Sequence, residues 1–390
     1  MPEDHPIRMA VDCGVMAPPK RVAIVHYWLT GMRGGESVLE EIVRLYPQAD
    51  IFTHVVERDK ISELLRSRPI TETAVGRMPL ARKLYPKYLS FMPRALEELD
   101  LSAYDLVISS ESGPAKGVIV RPDAAHVCYC HSPMRYIWDH YPEYSGGLGW
   151  LQRAYFGRVA HSLRQWDVST AARVDCFVAN SRFVAERIHR FYNRDSVVVN
   201  PPVDLGLYRQ TPERQREHYL FVAELVPYKR ADLAVEAFRT LRWPLKIVGK
   251  GPELARLQRV APPNVQFLGR VSNDTLRDLY QGARALIFPQ IEDFGIVPVE
   301  AMACGTPVIA YNRGGARDSV VPGVTGLFFD AQDAGGLRNA VHTFEAIPGR
   351  FDHALIATYA RRFGAERFRN ELSEVIDQTR ARFAVGADAA

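Results

Sequence analysis

The sequence predicts an α/β protein made of two successive domains, each a doubly wound parallel sheet with helices on both faces. Three observations lead there. Short apolar, β-branched runs alternate with stretches of helical spacing from Arg21 onward. The alternation stops at Pro201-Pro202, gives way to a polar stretch, and restarts at His218. The length of 390 residues suits two cores of roughly 150 residues each better than one.

Residues 1–20, with Pro2, Pro6, Pro18 and Pro19 and no periodicity, read as a flexible leader. Arg21 to Tyr27 is the first strand. It runs into a glycine loop at Gly34-Gly35 and then into the helix-spaced SVLEEIVRLY. Asp105 to Ser109, Ala125 to Cys130 and Val174 to Ala179 are further strands, the last followed by the amphipathic SRFVAERIHRFY. The first domain is thus expected over 21–203 and the second over 204–372. In the second, strands are expected at His218 to Val222, Leu245 to Val248, Val265 to Leu268 and Ala285 to Phe288, with a helix from Arg230 to Thr240. Residues 373–390 are expected to finish a charged C-terminal helix and tail that packs back toward the first domain. Ligands of such sheets sit outside the carboxyl ends of the strands.

Composition narrows the function classes. A net charge of +4 from 49 basic and 45 acidic residues is too small for a broad nucleic-acid face. Five cysteines without a Cys-x-x-Cys pair suggest neither a disulfide framework nor a zinc ribbon, and fit a cytoplasmic setting. No run of about 18 apolar residues suggests a bilayer span. No Asp-x-Asp and no His/Asp/Glu spacing points to a metal, so neither metal nor cofactor is expected.

The most informative stretch is PQIEDFGIVPVEAMACGT at 289–306. Glu292 falls on a loop and Glu300 on a helix, with Phe294, Gly295 and Ile296 at that helix's N-terminus. Free amides and the positive end of the dipole favour a phosphate there. The two flanking carboxylates can each accept hydroxyl hydrogen bonds, one from a sugar and one from a ribose. This outlines a nucleotide-sugar site.

That stretch resembles the signature of the retaining glycosyltransferases of family 4, whose GT-B fold sets two Rossmann-like domains across an interdomain cleft. ANSRFVAERI (179–188), VNPPVD (199–204), LVPYKRADLAVEAF (225–238), VGKGPE (248–253), VQFLGRVS (265–272) and GTPVIAYNRGGARDSV (305–320) match the family in the same order. The resemblance implies that Glu292 touches the transferred sugar, Glu300 grips the ribose and Lys229 neutralises the leaving diphosphate. It places His131 beside the donor sugar and the Gly34-Gly35 loop against the donor phosphate and acceptor. Gly251, Gly269 and Val271 would lie round the nucleotide. Many relatives carry an Arg four to five residues before the Lys, where this chain has Ala223-Glu224. Arg230 is the candidate to compensate. CYCHSPMRYIWD (128–139) is most similar to bacterial mannosyltransferases of O-antigen and exopolysaccharide assembly, which implies GDP-mannose as donor and a lipid-linked saccharide as acceptor. A non-catalytic GT-B nucleotide-sugar-binding subunit, a transferase using a UDP-sugar, and a GT-B epimerase or phosphorylase are the alternatives.

GRMPLARKLYPKYLSFMPR (76–94) carries Arg77, Arg82, Lys83, Lys87 and Arg94 among bulky apolar residues and contains no acid. That mixture suits the anionic inner face of a cell membrane. An ordinary amphipathic helix with a solvated basic face is the competing reading.

Overall fold

The computed structural model describes residues 18–211 and 215–387. Most of the expected leader therefore lies outside the described residues. A seven-stranded sheet comprises β1 (Val22–His26), β2 (Asp50–Thr53), β3 (Ile70–Glu72), β4 (Leu106–Glu111), β5 (Ala125–Cys130), β6 (Cys176–Ala179) and β7 (Ser196–Val198), in the order β3-β2-β1-β4-β5-β6-β7. A six-stranded sheet comprises β8 (His218–Val222), β9 (Leu245–Val248), β10 (Val265–Gly269), β11 (Ala283–Phe288), β12 (Val308–Tyr311) and β13 (Gly326–Phe329), in the order β10-β9-β8-β11-β12-β13. The strand pairs within both sheets are parallel.

Each sheet is covered on both sides, which is why its central strands are continuous apolar runs. In β1, Ile24 packs with Val38, Leu39 and Ile42 of the helix Gly34–Leu45, while Ala23 and Val25 join a second core with Val107 and Leu96 on the opposite face. Alternate side chains leave opposite faces of a strand, so two buried faces erase the polar half of the pattern.

The chain crosses between the domains twice. The last helix, Ala365–Ala387, belongs by packing to the first sheet: Phe368, Leu372 and Ile376 enter the core of β1, β4 and β5. Phe368 meets the Tyr129 ring edge-on at 5.6 Å, and Arg369 pairs with Glu41.

Both sheets reverse their winding at one place. The first goes from β1 outward to β2 and β3, then returns to β4 on the other side of β1; the second does the same between β8 and β11. At such a switch point the following loops diverge and leave a crevice at the carboxyl ends.

Candidate active site in the interdomain cleft

The loops of the second switch point carry Lys229 after β8 and Glu292 after β11, and the two side chains form an ion pair. Sequence reasoning assigned them separate ligands; in the structure each is the other's partner. Gly295, with φ of 87°, starts the helix Ile296–Ala303 without a side-chain cap. A left-handed backbone at this point favours glycine, and the uncapped amides of Ile296 and Val297 remain available to an anion. Phe294, just before this helix, packs its ring into the core. Its side chain is 2% exposed and lies 5.7 Å from the Phe363 ring, so a donor can meet only its backbone.

Glu300 sits one turn further along that helix, where the Tyr280 hydroxyl donates to its Oε2 at 2.9 Å. Burial pushes its carboxyl up to about 7, against the opposing pull of Tyr280. Arg230, the candidate to compensate for the missing Arg, has partners within its own domain. Its backbone is left-handed (φ 57°), and its guanidinium is engaged by Asp232 at 3.3 Å and by the Gln332 carbonyl. Gly251 follows β9 and Gly269 ends β10, at the carboxyl end of the same sheet. A Cβ on Gly251 would fall 2.3 Å from the Leu225 carbonyl oxygen, so the loop needs glycine to pack on its neighbour. Val271, just beyond β10, is partly buried against the core beneath.

The first domain supplies the opposite wall. A Cβ on Gly34 would meet the Ile296 side chain at 2.8 Å, which sets the glycine loop against the start of the helix bearing the anion site. Gly35 has no room for a side chain either: a Cβ would lie 2.5 Å from the Tyr27 hydroxyl and 3.8 Å from His131 Nε2. His131 follows β5 directly. Its amide donates to the Glu111 carbonyl at 2.8 Å and its carbonyl accepts from Asn180 at 2.9 Å. Burial, helped by the neighbouring His26, lowers its imidazole to about 3, so the ring is neutral at physiological pH.

Sequence reasoning passed over the residues that join the walls. Asp293, next to Glu292, accepts from Arg187 Nη1 at 2.8 Å and pairs with Arg135 Nη2 at 2.8 Å, both from the first domain. Arg187 also donates to Asp139 and to the Ser132 hydroxyl, and the Ser181 hydroxyl donates to the Asp293 carbonyl. Burial alone would raise the Asp293 carboxyl, but the two guanidiniums together hold it below the usual range. Behind the His131 loop, fully buried Lys116 pairs with Glu111 and Asp167, and Asp167 also accepts from Trp138 and Tyr192.

The basic run at 76–94 is less bare than its sequence suggests. Arg82 pairs with Glu72 at 2.9 Å, an acid at the end of β3, and Arg94 with Glu98 at 2.7 Å, one helical turn beyond the run. Arg77, Lys83 and Lys87 are exposed, as are Leu80 (68%) and Phe91 (53%). The neighbouring helix Trp150–Thr170 begins with exposed Trp150 (79%), Leu151 (63%) and Tyr155, whose hydroxyl lies 3.4 Å from Ser90 Oγ.

Comparison with known proteins fits this geometry. The first domain matches the profile of Glycosyltransferase Family 4 over residues 32–207, and the second matches Glycosyl transferases group 1 over residues 209–362. A D-inositol 3-phosphate glycosyltransferase of Streptomyces bingchenggensis is 26% identical over 69% of this chain and 74% of its own. A GDP-mannose-dependent alpha-(1-6)-phosphatidylinositol monomannoside mannosyltransferase of Mycolicibacterium smegmatis is 32% identical over 38% of this chain and 47% of its own. Among solved structures, Anabaena Alr3699/HepE in complex with UDP-glucose superimposes with a TM-score of 0.66 at 19% identity, covering 92% of this chain and 99% of that one. With two adjoining profiles spanning both sheets and the cleft between them, the chain belongs to the family 4 glycosyltransferases of GT-B fold.

Proposed function

We propose that the chain is a retaining, metal-independent hexosyltransferase that moves mannose from GDP-mannose onto a lipid-linked oligosaccharide in bacterial surface polysaccharide assembly, with no cofactor. The observation that carries this is the Lys229–Glu292 pair at the second switch point, beside the uncapped Ile296–Ala303 helix and facing Gly34, Gly35 and His131. A dianionic diphosphate between these groups competes for Lys229 and frees Glu292 to accept sugar hydroxyls. The acceptor oxygen then bonds to the anomeric carbon on the face from which the phosphate oxygen departs. The acceptor's proton passes to that phosphate oxygen. Lys229 and the helix amides stabilise the leaving charge. GDP-mannose is favoured by the name of the mycobacterial relative.

The acceptor's lipid end points to the membrane, and the first domain carries a matching face. Exposed Trp150, Leu151, Tyr155, Leu80 and Phe91 adjoin Arg77, Lys83 and Lys87, the combination that seats a protein in an anionic headgroup layer. No helix among the described residues is long and apolar enough to cross a membrane. The exposed basic and aromatic face supports a reading in which catalysis takes place at the inner membrane face.

A screen of GDP-mannose, UDP-glucose, UDP-galactose and UDP-N-acetylglucosamine by thermal shift and donor hydrolysis tests the donor. GDP-mannose should stabilise the protein most. Stabilisation only by UDP-sugars would move the reading to a UDP-sugar transferase, binding without turnover on any acceptor would make the chain a binding subunit, and an inverted anomeric product by NMR would end the retaining mechanism.

A further inference from the structure

The first domain's switch point holds a chain of polar groups that the family motifs do not use. His26 ends β1 and is the register partner of Ser110 in β4. Its Nδ1 lies 3.0 Å from Ser110 Oγ, and the same oxygen lies 2.9 Å from His131 Nε2. On its other side, His26 Nε2 faces Glu36 Oε1 at 3.9 Å and has no hydrogen-bond partner of its own. The second oxygen of Glu36 accepts from the Arg33 amide at 2.9 Å. Glu36, His26 and Ser110 are 3%, 1% and 0% exposed, so water does not offer them substitutes.

We propose that Glu36, His26 and Ser110 form a positioning relay that keeps the His131 proton on Nε2, so that His131 meets the sugar donor through a bare, accepting Nδ1. The argument is a proton count. Ser110 has one hydroxyl hydrogen, so it can donate to only one of the two imidazoles, and the other contact is a hydrogen bond only if that ring donates to it. With both imidazoles neutral, two polarities are open to the chain. If His26 donated through Nδ1, its Nε2 would turn a lone pair toward the carboxylate, which is repulsive in a buried setting. A carboxylate at Glu36 therefore selects Nε2–H on His26, its bare Nδ1 takes the Ser110 hydrogen, and Ser110 accepts from His131 Nε2–H. Burial alone would raise the Glu36 carboxyl, but the His26 imidazole and the Arg33 amide hold it low, which keeps it ionised.

The sequence sets these groups far apart and the fold gathers them for a reason. Parallel pairing of β1 with β4 brings His26 to Ser110, and the glycine loop turns the next helix so that its first turn sets Glu36 over the end of β1. The pairing of β4 with β5 then delivers His131. His131 thereby accepts a hydrogen bond from a hydroxyl of the transferred sugar and gives no proton to it. This inference rests on the donor lying in the cleft, as proposed above.

The test is NMR on the full chain labelled with 15N-histidine, without donor, reading two-bond couplings of the His131 ring. The wild type should show a neutral ring protonated on Nε2. In E36Q the carboxylate that orders the chain is lost, and in S110A the chain is cut, so the His131 ring should change its nitrogen shifts toward a tautomer mixture in both. S110T, which keeps the hydroxyl, should resemble the wild type. In turnover assays S110A should lose about ten- to a hundredfold in kcat with the donor KM within about twofold, and S110T should recover most of it. A wild-type proton on Nδ1, or unchanged His131 shifts in S110A, would overturn the relay. If E36Q does not fold, S110A decides. The NMR needs no donor, so a wrong donor assignment shows up in the screen above and not here.

Discussion

Asp293→Ala should loosen the two domains from each other without damaging either core. In the structure one carboxylate serves guanidiniums of the other domain at 2.8 Å from Arg187 and 2.8 Å from Arg135. The side chains of Asp293, Arg135 and Arg187 are 18%, 18% and 6% exposed, so these are mostly buried pairs and not surface ones worth less than about 1 kcal/mol. Removing one partner of a buried pair costs about 3–5 kcal/mol, chiefly through the charge left behind. Arg187 keeps Asp139, so Arg135 carries most of the loss and the lower end, about 3 kcal/mol, applies. Each 1.4 kcal/mol is tenfold, which makes the shift from closed to open a little over a hundredfold. Small-angle scattering should show a larger radius of gyration, and urea unfolding should lose cooperation between the domains. The sign with pH follows from the lowered carboxyl: the contribution is full above the unfolded value near about 4 and is lost only as pH falls through the still lower folded value. Expansion should thus be absent in the wild type at pH 6–8 and appear on acidification, whereas the variant should be more expanded than the wild type at pH 6–8 and lose that pH dependence. An unchanged radius and urea midpoint in Asp293→Ala would refute the reasoning.

Glu300 gives an opposite pH dependence. Its carboxyl is raised to about 7, so its effect on stability is complete below the unfolded value near about 4.3 and is lost as pH rises through 7. If the carboxylate grips a ribose, calorimetric nucleotide affinity should rise between pH 6 and 8 and become flat in Glu300→Gln. Lys116→Met strands Glu111 and Asp167 in the interior and should cost about 3–5 kcal/mol in denaturant unfolding. Phe368→Ala, though in the last helix, should destabilise the first domain by about 3–5 kcal/mol, which hydrogen exchange in β1, β4 and β5 can localise. Changing Arg77, Lys83 and Lys87 to Glu, or Trp150 and Leu151 to Ala, should each abolish sedimentation with phosphatidylglycerol vesicles; retention by both variants would remove the membrane face.

Much of this protein was legible in one dimension. The central strands β1, β4, β5, β8, β9 and β11 announce themselves because burial on both faces demands unbroken apolar runs, and Gly34-Gly35 and Gly295 mark where backbone must approach closely. Lys229, Glu292 and His131 were singled out by resemblance to family motifs, and the structure sets them in the loops after β8, β11 and β5. Strands β2, β3, β7, β12 and β13 escaped notice; each is only three or four residues long, a length that gives a weak periodic signal even where, as in β9, a strand was anticipated.

Pairings across the fold had no sequence signal. Asp293 stands inside the most informative motif, yet its partners lie more than a hundred residues away, and nothing local distinguishes it from Glu292. In the acid-free run at 76–94, Arg82 looked unpaired until the turn after β3 set it against Glu72, whereas the Arg94–Glu98 pair is a local one, four residues apart. Local periodicity reflects which faces are buried, so the sequence by itself determined the elements, the switch-point loops and the residue types at the cleft. Which charge meets which, and which imidazole nitrogen keeps its proton, depends on distances of about 3 Å between distant segments, and only the tertiary structure decided those.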